Sequence, residues 1–199
     1  VVFVVDGSAS LWYQHGGRAN WGRNFDLLKK FVQDFAKKTK FATTNQDGRV
    51  SGGARMGTVV YSWNPKVVSQ LTTNKNDLIA KVEAMKWPMG ATFTGRALMS
   101  ANKMLKRSKN RQKIVVLLTD GRASNRYMAS MGAKSVRDSG TRLFAVPIKG
   151  AMRNKAEMCK WVSRPCKDNM FMAPNFATPG ERLDKILTSV CPKIRTTGL

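Results

Sequence analysis

The chain is short of acid, histidine and cysteine, and each shortage narrows what it can be. Twelve Asp and Glu face thirty-five Lys and Arg, which leaves a net charge of +23 on 199 residues. That excess is larger than solubility requires and points to a polyanionic partner: nucleic acid, an anionic membrane surface or a sulfated glycan. The cations run along the whole chain, with clusters at Lys29–Lys30, Lys37–Lys38–Lys40, Lys103 to Lys113 and Lys149 to Lys167. A single histidine, His15, gives catalysis one candidate imidazole base, and no nucleophile–His pair or phosphate-cradling P-loop occurs, so an enzyme is not expected. No run approaches the ~20 apolar residues of a membrane span, so no membrane insertion by this segment is expected. There is no Asn-x-Ser/Thr sequon, and no basic leader with a cleavage site precedes Val1, which reads as the start of a segment of a longer protein. The three cysteines are Cys159, Cys166 and Cys191. Two that lie seven apart could close a small loop and leave the third to a partner outside the segment, in an oxidising compartment; the alternative is three free thiols in a reducing one.

What is present is enough for one globular domain. Hydrophobic residues make up 42% of the chain, and the length suits a single unit over residues 1–191, with 192–199 as the start of a C-terminal linker. Val1 to Val5 and Ile114 to Leu118 are continuous apolar runs, as in central strands buried on both faces. Strands are also expected over Ala54 to Tyr61, Leu143 to Ile148 and Met170 to Met172, with Val67 to Leu71 as an antiparallel partner at the sheet edge. Between them lie amphipathic helices over Phe25 to Phe35 (with Asn24 as N-cap), Asn76 to Met85, Thr94 to Leu105, Tyr127 to Asp138, Ala156 to Val162 and Glu181 to Val190. The polar, Gly-rich stretch Thr43 to Gly53 reads as a loop. This alternation predicts an α/β fold: a doubly wound, mostly parallel central sheet with one antiparallel edge strand and helices on both faces.

In such sheets ligands bind beyond the carboxyl ends of the strands, and two loops there carry hard oxygen donors. Asp6-Gly7-Ser8-Ala9-Ser10 follows the first strand, and Thr119-Asp120-Gly121 follows the run at 114–118. Between them, Gly90-Ala91-Thr92-Phe93-Thr94-Gly95 opens a helix. Leaving an extended strand, alternate residues point to one side, so Asp6, Ser8 and Ser10 can converge. Carboxylate and hydroxyl oxygens with no His or Cys suit Mg2+, Mn2+ or Ca2+. Two carboxylates among neutral hydroxyls leave a divalent cation under-neutralised, with electrophilic character to offer an acidic group from a partner.

Val4-Val-Asp-Gly-Ser-Ala-Ser10, Gly90-Ala-Thr-Phe-Thr-Gly-Arg-Ala-Leu98 and Leu117-Leu-Thr-Asp-Gly121 resemble the metal-ion-dependent adhesion site of von Willebrand factor A and integrin I domains. The resemblance implies that Ser8, Ser10 and Thr92 bind the metal and that Asp6 and Asp120 are its carboxylates. It places Thr94 just behind the ligands or as a helix cap, with Gly7 and Gly121 in support. It also implies a closing helix, here Glu181 to Val190, of the kind that shifts with metal coordination in integrin I domains. The C-terminal layout, Cys159-Lys-Trp-Val-Ser-Arg-Pro-Cys166 and later Cys191-Pro192, is similar to the A domains of thrombospondin-related apicomplexan adhesins. That likeness implies a Cys159–Cys166 disulfide, with Cys191 paired upstream of Val1. The segment from Trp12 to Gly22 is longer and more Gly-rich than a typical helix entry after the Ser10 loop. It is expected either as a wall beside the metal or as a loop without function; Trp12 and Tyr13 are expected either as ligand contacts or with one of them packed into the core, and His15 is not expected to bind metal.

These readings converge on a metal-dependent adhesion module of a larger extracellular or cell-surface protein. Its expected partners are acidic groups on a protein ligand, a matrix or cell-surface component, and a sulfated glycan on the basic surface. Nucleic acid is not expected; the alternative function is an intracellular scaffold in a protein or nucleic-acid assembly.

Overall fold

The computed structural model describes residues 1–13, 22–47, 49–108, 112–119, 122–148, 154–171 and 187–188, with only the backbone of 12 and 13. Its elements in chain order are β1 (Val2–Asp6), α1 (Ser10–Tyr13), α2 (Arg23–Lys38), β2 (Thr43–Thr44), β3 (Val50–Ser51), β4 (Met56–Tyr61) and β5 (Pro65–Thr72). There follow α3 (Lys75–Glu83), α4 (Thr94–Lys106), β6 (Ile114–Thr119), α5 (Arg126–Asp138), β7 (Arg142–Pro147) and α6 (Lys155–Trp161), then a 3-10 turn, Cys166–Asp168. The main sheet has the order β5-β4-β1-β6-β7. β1 pairs in parallel with β4 and β6, and β6 with β7, while β5 is antiparallel to β4 at the edge. Pro65 opens that edge strand, where its missing N–H costs no ladder bond.

The period of two along each strand divides the core into two layers. Phe3 and Val5 of β1, Val116 and Leu118 of β6, and Phe144 and Val146 of β7 face α2 and α3. Val2, Val4, Val115, Leu117, Leu143 and Ala145 face α4, α5 and α6. On the first side α2 buries Phe25, Leu28, Phe31, Val32 and Phe35 at helical spacing, with the Phe35 ring edge-on to Phe3 at 5.0 Å. Each such side chain contributes about 1.5–3 kcal/mol by leaving water. Leu187, from the segment expected as the closing helix, is buried in the same layer. On the second side α4 and α5 present Ala97, Ala101, Ala129 and Ala133 to each other and the sheet. Gly95 and Gly132 take this closeness to the limit: a Cβ on Gly95 would sit 2.1 Å from Met128 O, and one on Gly132 2.6 Å from Gly95 O.

Three expectations are corrected. The stretch 43–53 is not all loop, because β2 and β3 form a small antiparallel ladder; all four of its residues are exposed, so no buried alternation marked it in the sequence. Met170 makes one parallel bridge to Ala145 rather than a strand, held by Ala145 N–H to Asn169 O and Phe171 N–H to Ala145 O, and Met172 lies outside the described residues. Asn24 does not cap α2. Gly22 holds that position with φ 79°, and Asn24 lies in the first turn, donating from Nδ2 to Leu11 O at 2.6 Å.

A disulfide joins Cys159 of α6 to Cys166. A loop this short contributes about 2 kcal/mol by restricting the unfolded chain. Among the described residues no helix is long and apolar enough to cross a membrane.

Candidate metal centre

The parallel pairing brings three strand ends to one place. Asp6 is level with Tyr61, and Val5 with Leu118, so Thr119 reaches the same level on the other side of β1. The Asp6 side chain is wholly buried. Its Oδ1 accepts from Ser8 N–H at 2.9 Å, and its Oδ2 from the Thr119 hydroxyl at 2.7 Å and the Tyr61 hydroxyl at 3.3 Å. Beyond it the loop turns tightly. Gly7 N–H donates to Tyr61 O at 2.7 Å, and Gly7 O accepts from the Trp87 indole at 3.0 Å. A Cβ on Gly7 would lie 2.6 Å from the Pro88 ring, so glycine is required by space. The Ser8 and Ser10 hydroxyls then meet at 2.8 Å, as the alternation of residues off the strand predicted.

The second loop is tied to the first. Gly90 O accepts from Ala9 N–H at 2.8 Å, and Phe93 N–H donates to Ser62 O at 3.0 Å. Thr92 is 7% exposed and held by a reciprocal pair: its N–H donates to Ser124 Oγ, and Ser124 N–H donates to its carbonyl, both at 2.9 Å. Thr94 is the first residue of α4. It does not cap the helix, since Phe93 is the N-cap with no side-chain bond; its hydroxyl lies 3.3 Å from that of Tyr61.

Asp6 is electrostatically unusual. Burial pushes its carboxyl above the 3.8 usual for aspartate, against the hydrogen bonds from the Ser8 hydroxyl, Thr119, Ser8 N–H and Tyr61, which favour the charged form. Among the described residues the groups that offset this burial are hydrogen-bond donors. The neighbouring donors are two serine hydroxyls in mutual contact and a nearly buried threonine, all hard oxygens. Among the described residues no three His, Cys, Asp or Glu side chains gather. The residues present fit a hard divalent cation.

The structure thus brings Asp6, Ser8 and Ser10 together and fastens the Thr92 loop beside them. Asp120, Gly121, His15 and Cys191 lie outside the described residues, as do the Trp12 and Tyr13 side chains. Sequence reasoning missed Tyr61, Thr119 and Ser124. Thr119 stood inside a quoted motif without a role, whereas nothing local marks Tyr61 or Ser124, whose parts depend on strand register and a loop crossing.

The fold and loop set define a doubly wound domain with a cluster of hard oxygen donors at the carboxyl edge of its sheet. A family model for the von Willebrand factor type A domain matches residues 1–187, and the chain belongs to that family. It is 23% identical to mouse (Mus musculus) vitrin over 98% of this chain and 27% of vitrin. To chicken (Gallus gallus) matrilin-1 it is 27% identical over 96% of this chain and 36% of matrilin-1, so it spans about a third or less of either relative. Among solved structures, proximal thread matrix protein 1 from the mussel byssus, with a zinc-occupied MIDAS motif, superposes with a TM-score of 0.79 at 21% identity, covering 96% of this chain and 47% of that one. The manganese-loaded TRAP protein of Plasmodium vivax superposes at 0.69 and 18% identity, covering 95% and 72%. These two likenesses show the shared fold.

Proposed function

We propose that this domain, spanning residues 1–191 with a linker beginning at 192, is an adhesion module of a larger extracellular or cell-surface protein. Asp6, Ser8, Ser10, Thr92 and Asp120 hold a divalent cation, Mg2+ with Mn2+ or Ca2+ as substitutes, and the centre captures a carboxylate of an acidic protein ligand. The observation that carries this is the buried Asp6 carboxylate beside paired serine hydroxyls at the sheet's carboxyl edge. When bound, the cation supplies one electrophilic coordination position. The protein's own groups do the rest: Thr119 and Tyr61 orient Asp6, Gly7 lets the loop turn against Pro88, and Ser124 fixes Thr92. Thr94 steadies Tyr61 from behind. The role is binding rather than catalysis.

An oxidising location is supported by the Cys159–Cys166 bond, with Cys191 left to a cysteine upstream of Val1. The charge of +23 supports a second class of partner, a sulfated or otherwise anionic polymer, held by exposed cations rather than by the metal. Selection of a displayed library of peptides, each with one Asp or Glu, tests the carboxylate mode. In Mg2+ the domain is expected to retain peptides that EDTA releases and that fail when the acid becomes its amide. Retention indifferent to both changes would overturn it.

A further inference from the structure

We propose that the end of the domain opposite the metal centre is a binding surface for a sulfated polysaccharide. This rests on the polyanion half of the function above and is independent of the metal. Topology gathers the cations. The four parallel strands begin at this end, and the crossover helices α2 and α4 return to it, so strand beginnings and helix ends share one face. Here those positions are basic. α2 ends in Lys37 and Lys38, and α4 carries Lys103 and Lys106 in its last turn.

Contacts tie cations far apart in sequence into one patch. Lys75 Nζ donates to Lys37 O at 3.3 Å and lies 5.5 Å from the centre of the Phe41 ring. Lys40 O accepts from Ala54 N–H at 3.0 Å, and the next residue, Arg55, reaches Ser108 Oγ at 2.7 Å, directly after Arg107. Arg142 N–H donates to Lys113 O at 2.9 Å. Cations in a last helical turn offset the helix dipole, but Lys40, Arg55 and Lys113 lie outside helices, and that reason does not reach them. Among the described acids at this end, Asp138 is paired with Lys134 and Asp77, in the first turn of α3, with Lys81, while Asp47 sits in the exposed turn between β2 and β3 and Asp168 lies beside Arg142, which bonds its carbonyl.

The shape selects a polymer. Strands lie about 4.8 Å apart, so five of them set the cations along roughly 20 Å, a match for repeated anionic groups rather than one. The disulfide favours a compartment where sulfated polysaccharides are the polyanions. Among the described residues the exposed aromatics are Trp63, just after β4, and Tyr127, at the start of α5, both toward the metal end, while Phe41 at this end is half-buried against the core beneath Lys75, so this face offers no open stacking platform for nucleic-acid bases. With the two sites at opposite ends, one domain can hold a carboxylate ligand and a glycan at once, as a cross-link.

The test is binding of the whole 199-residue chain to a size-fractionated heparin oligosaccharide. Wild type is compared with Lys37→Gln/Lys40→Gln/Lys106→Gln/Arg107→Gln and with an equal charge change away from this end, Lys66→Gln/Lys86→Gln/Arg122→Gln/Lys155→Gln. All eight side chains are exposed. Wild type should bind with an affinity that falls steeply with salt and ignores EDTA. The first variant should lose about 10-fold or more and the second less than about threefold. Should the fourfold change unfold the domain, the pairs Lys37→Gln/Lys40→Gln and Lys106→Gln/Arg107→Gln, made separately, should share the loss. Absence of wild-type binding at physiological salt overturns the polyanion half of the function itself. Equal losses in both variants overturn only the location, and loss in EDTA moves the glycan to the metal. Displacement by a DNA duplex at lower concentration than the glycan overturns the ligand class.

Discussion

In EDTA at neutral pH, Asp6→Asn should melt at or above the wild-type temperature, and in saturating Mg2+ several degrees below it. The reversal follows from the placement of the carboxylate. Asp6 is buried and its carboxyl is pushed upward, mainly by burial, so the metal-free fold holds its proton more tightly than the unfolded chain does. A group of this kind gives its full stability below the unfolded value and loses it as pH rises through the folded one. For Asp6 the loss begins near pH 3.8 and is complete once the native carboxyl has ionised. Asparagine has the same shape, can accept from Ser8 N–H, and can offer its amide to the Thr119 and Tyr61 oxygens, so the cost of the buried charge disappears. In Mg2+ at about 100 times Kd, wild type gains ~2.7 kcal/mol by mass action, roughly 5–10 °C in Tm for a chain this size, and the variant should gain almost none. Thermal melts at pH 4 and 7, with EDTA and with Mg2+, check both halves. A variant less stable than wild type in EDTA at pH 7 would show that the carboxylate has a counter-charge from the protein alone.

Gly95→Ala should cost about 3 kcal/mol, roughly 6–12 °C in Tm. The sign is the informative part, because helix propensity taken alone predicts that alanine stabilises a helix by ~1 kcal/mol. Here the added methyl would meet the Met128 carbonyl oxygen and carbon at 2.1 and 2.4 Å, both backbone atoms, and α5 would have to retreat. Gly95 follows Thr94, whose hydroxyl contacts Tyr61, so the same shift should also weaken the metal centre. Urea unfolding measures the first effect. A variant within 1 kcal/mol of wild type would mean that the two helices have room to part.

The doubly wound sheet could be read from the chain because its central strands are unbroken apolar runs, Val1 to Val5 and Ile114 to Leu118, separated by helical repeats. The Asp6–Ser8–Ser10 cluster could be read because residues leaving a strand alternate, a local rule. What stayed hidden depends on partners distant in sequence. Tyr61 and Thr119 flank Asp6 only through the register of three strands, and Gly95 meets Met128 only through the packing of α4 on α5. Asn24 has the residue type of a cap, but its bond to Leu11 O belongs to tertiary structure. The exposed β2–β3 ladder carries no buried alternation to reveal it. The basic end combines both kinds of information: its charge is visible in composition, and its location emerges only when strand beginnings and helix ends are seen to coincide.

The measurement closest to the centre of this account is calorimetric titration of the domain with Mg2+, wild type beside Ser8→Ala/Ser10→Ala. The two hydroxyls lie 2.8 Å apart at the end of the loop from Asp6, and replacing both leaves the fold's core untouched. Wild type should give saturable binding, and the double variant should lose more than ~100-fold in affinity, beyond the effect of removing groups that only support ligands. Matching isotherms for the two proteins would contradict the account and take the cation away from the Asp6 loop.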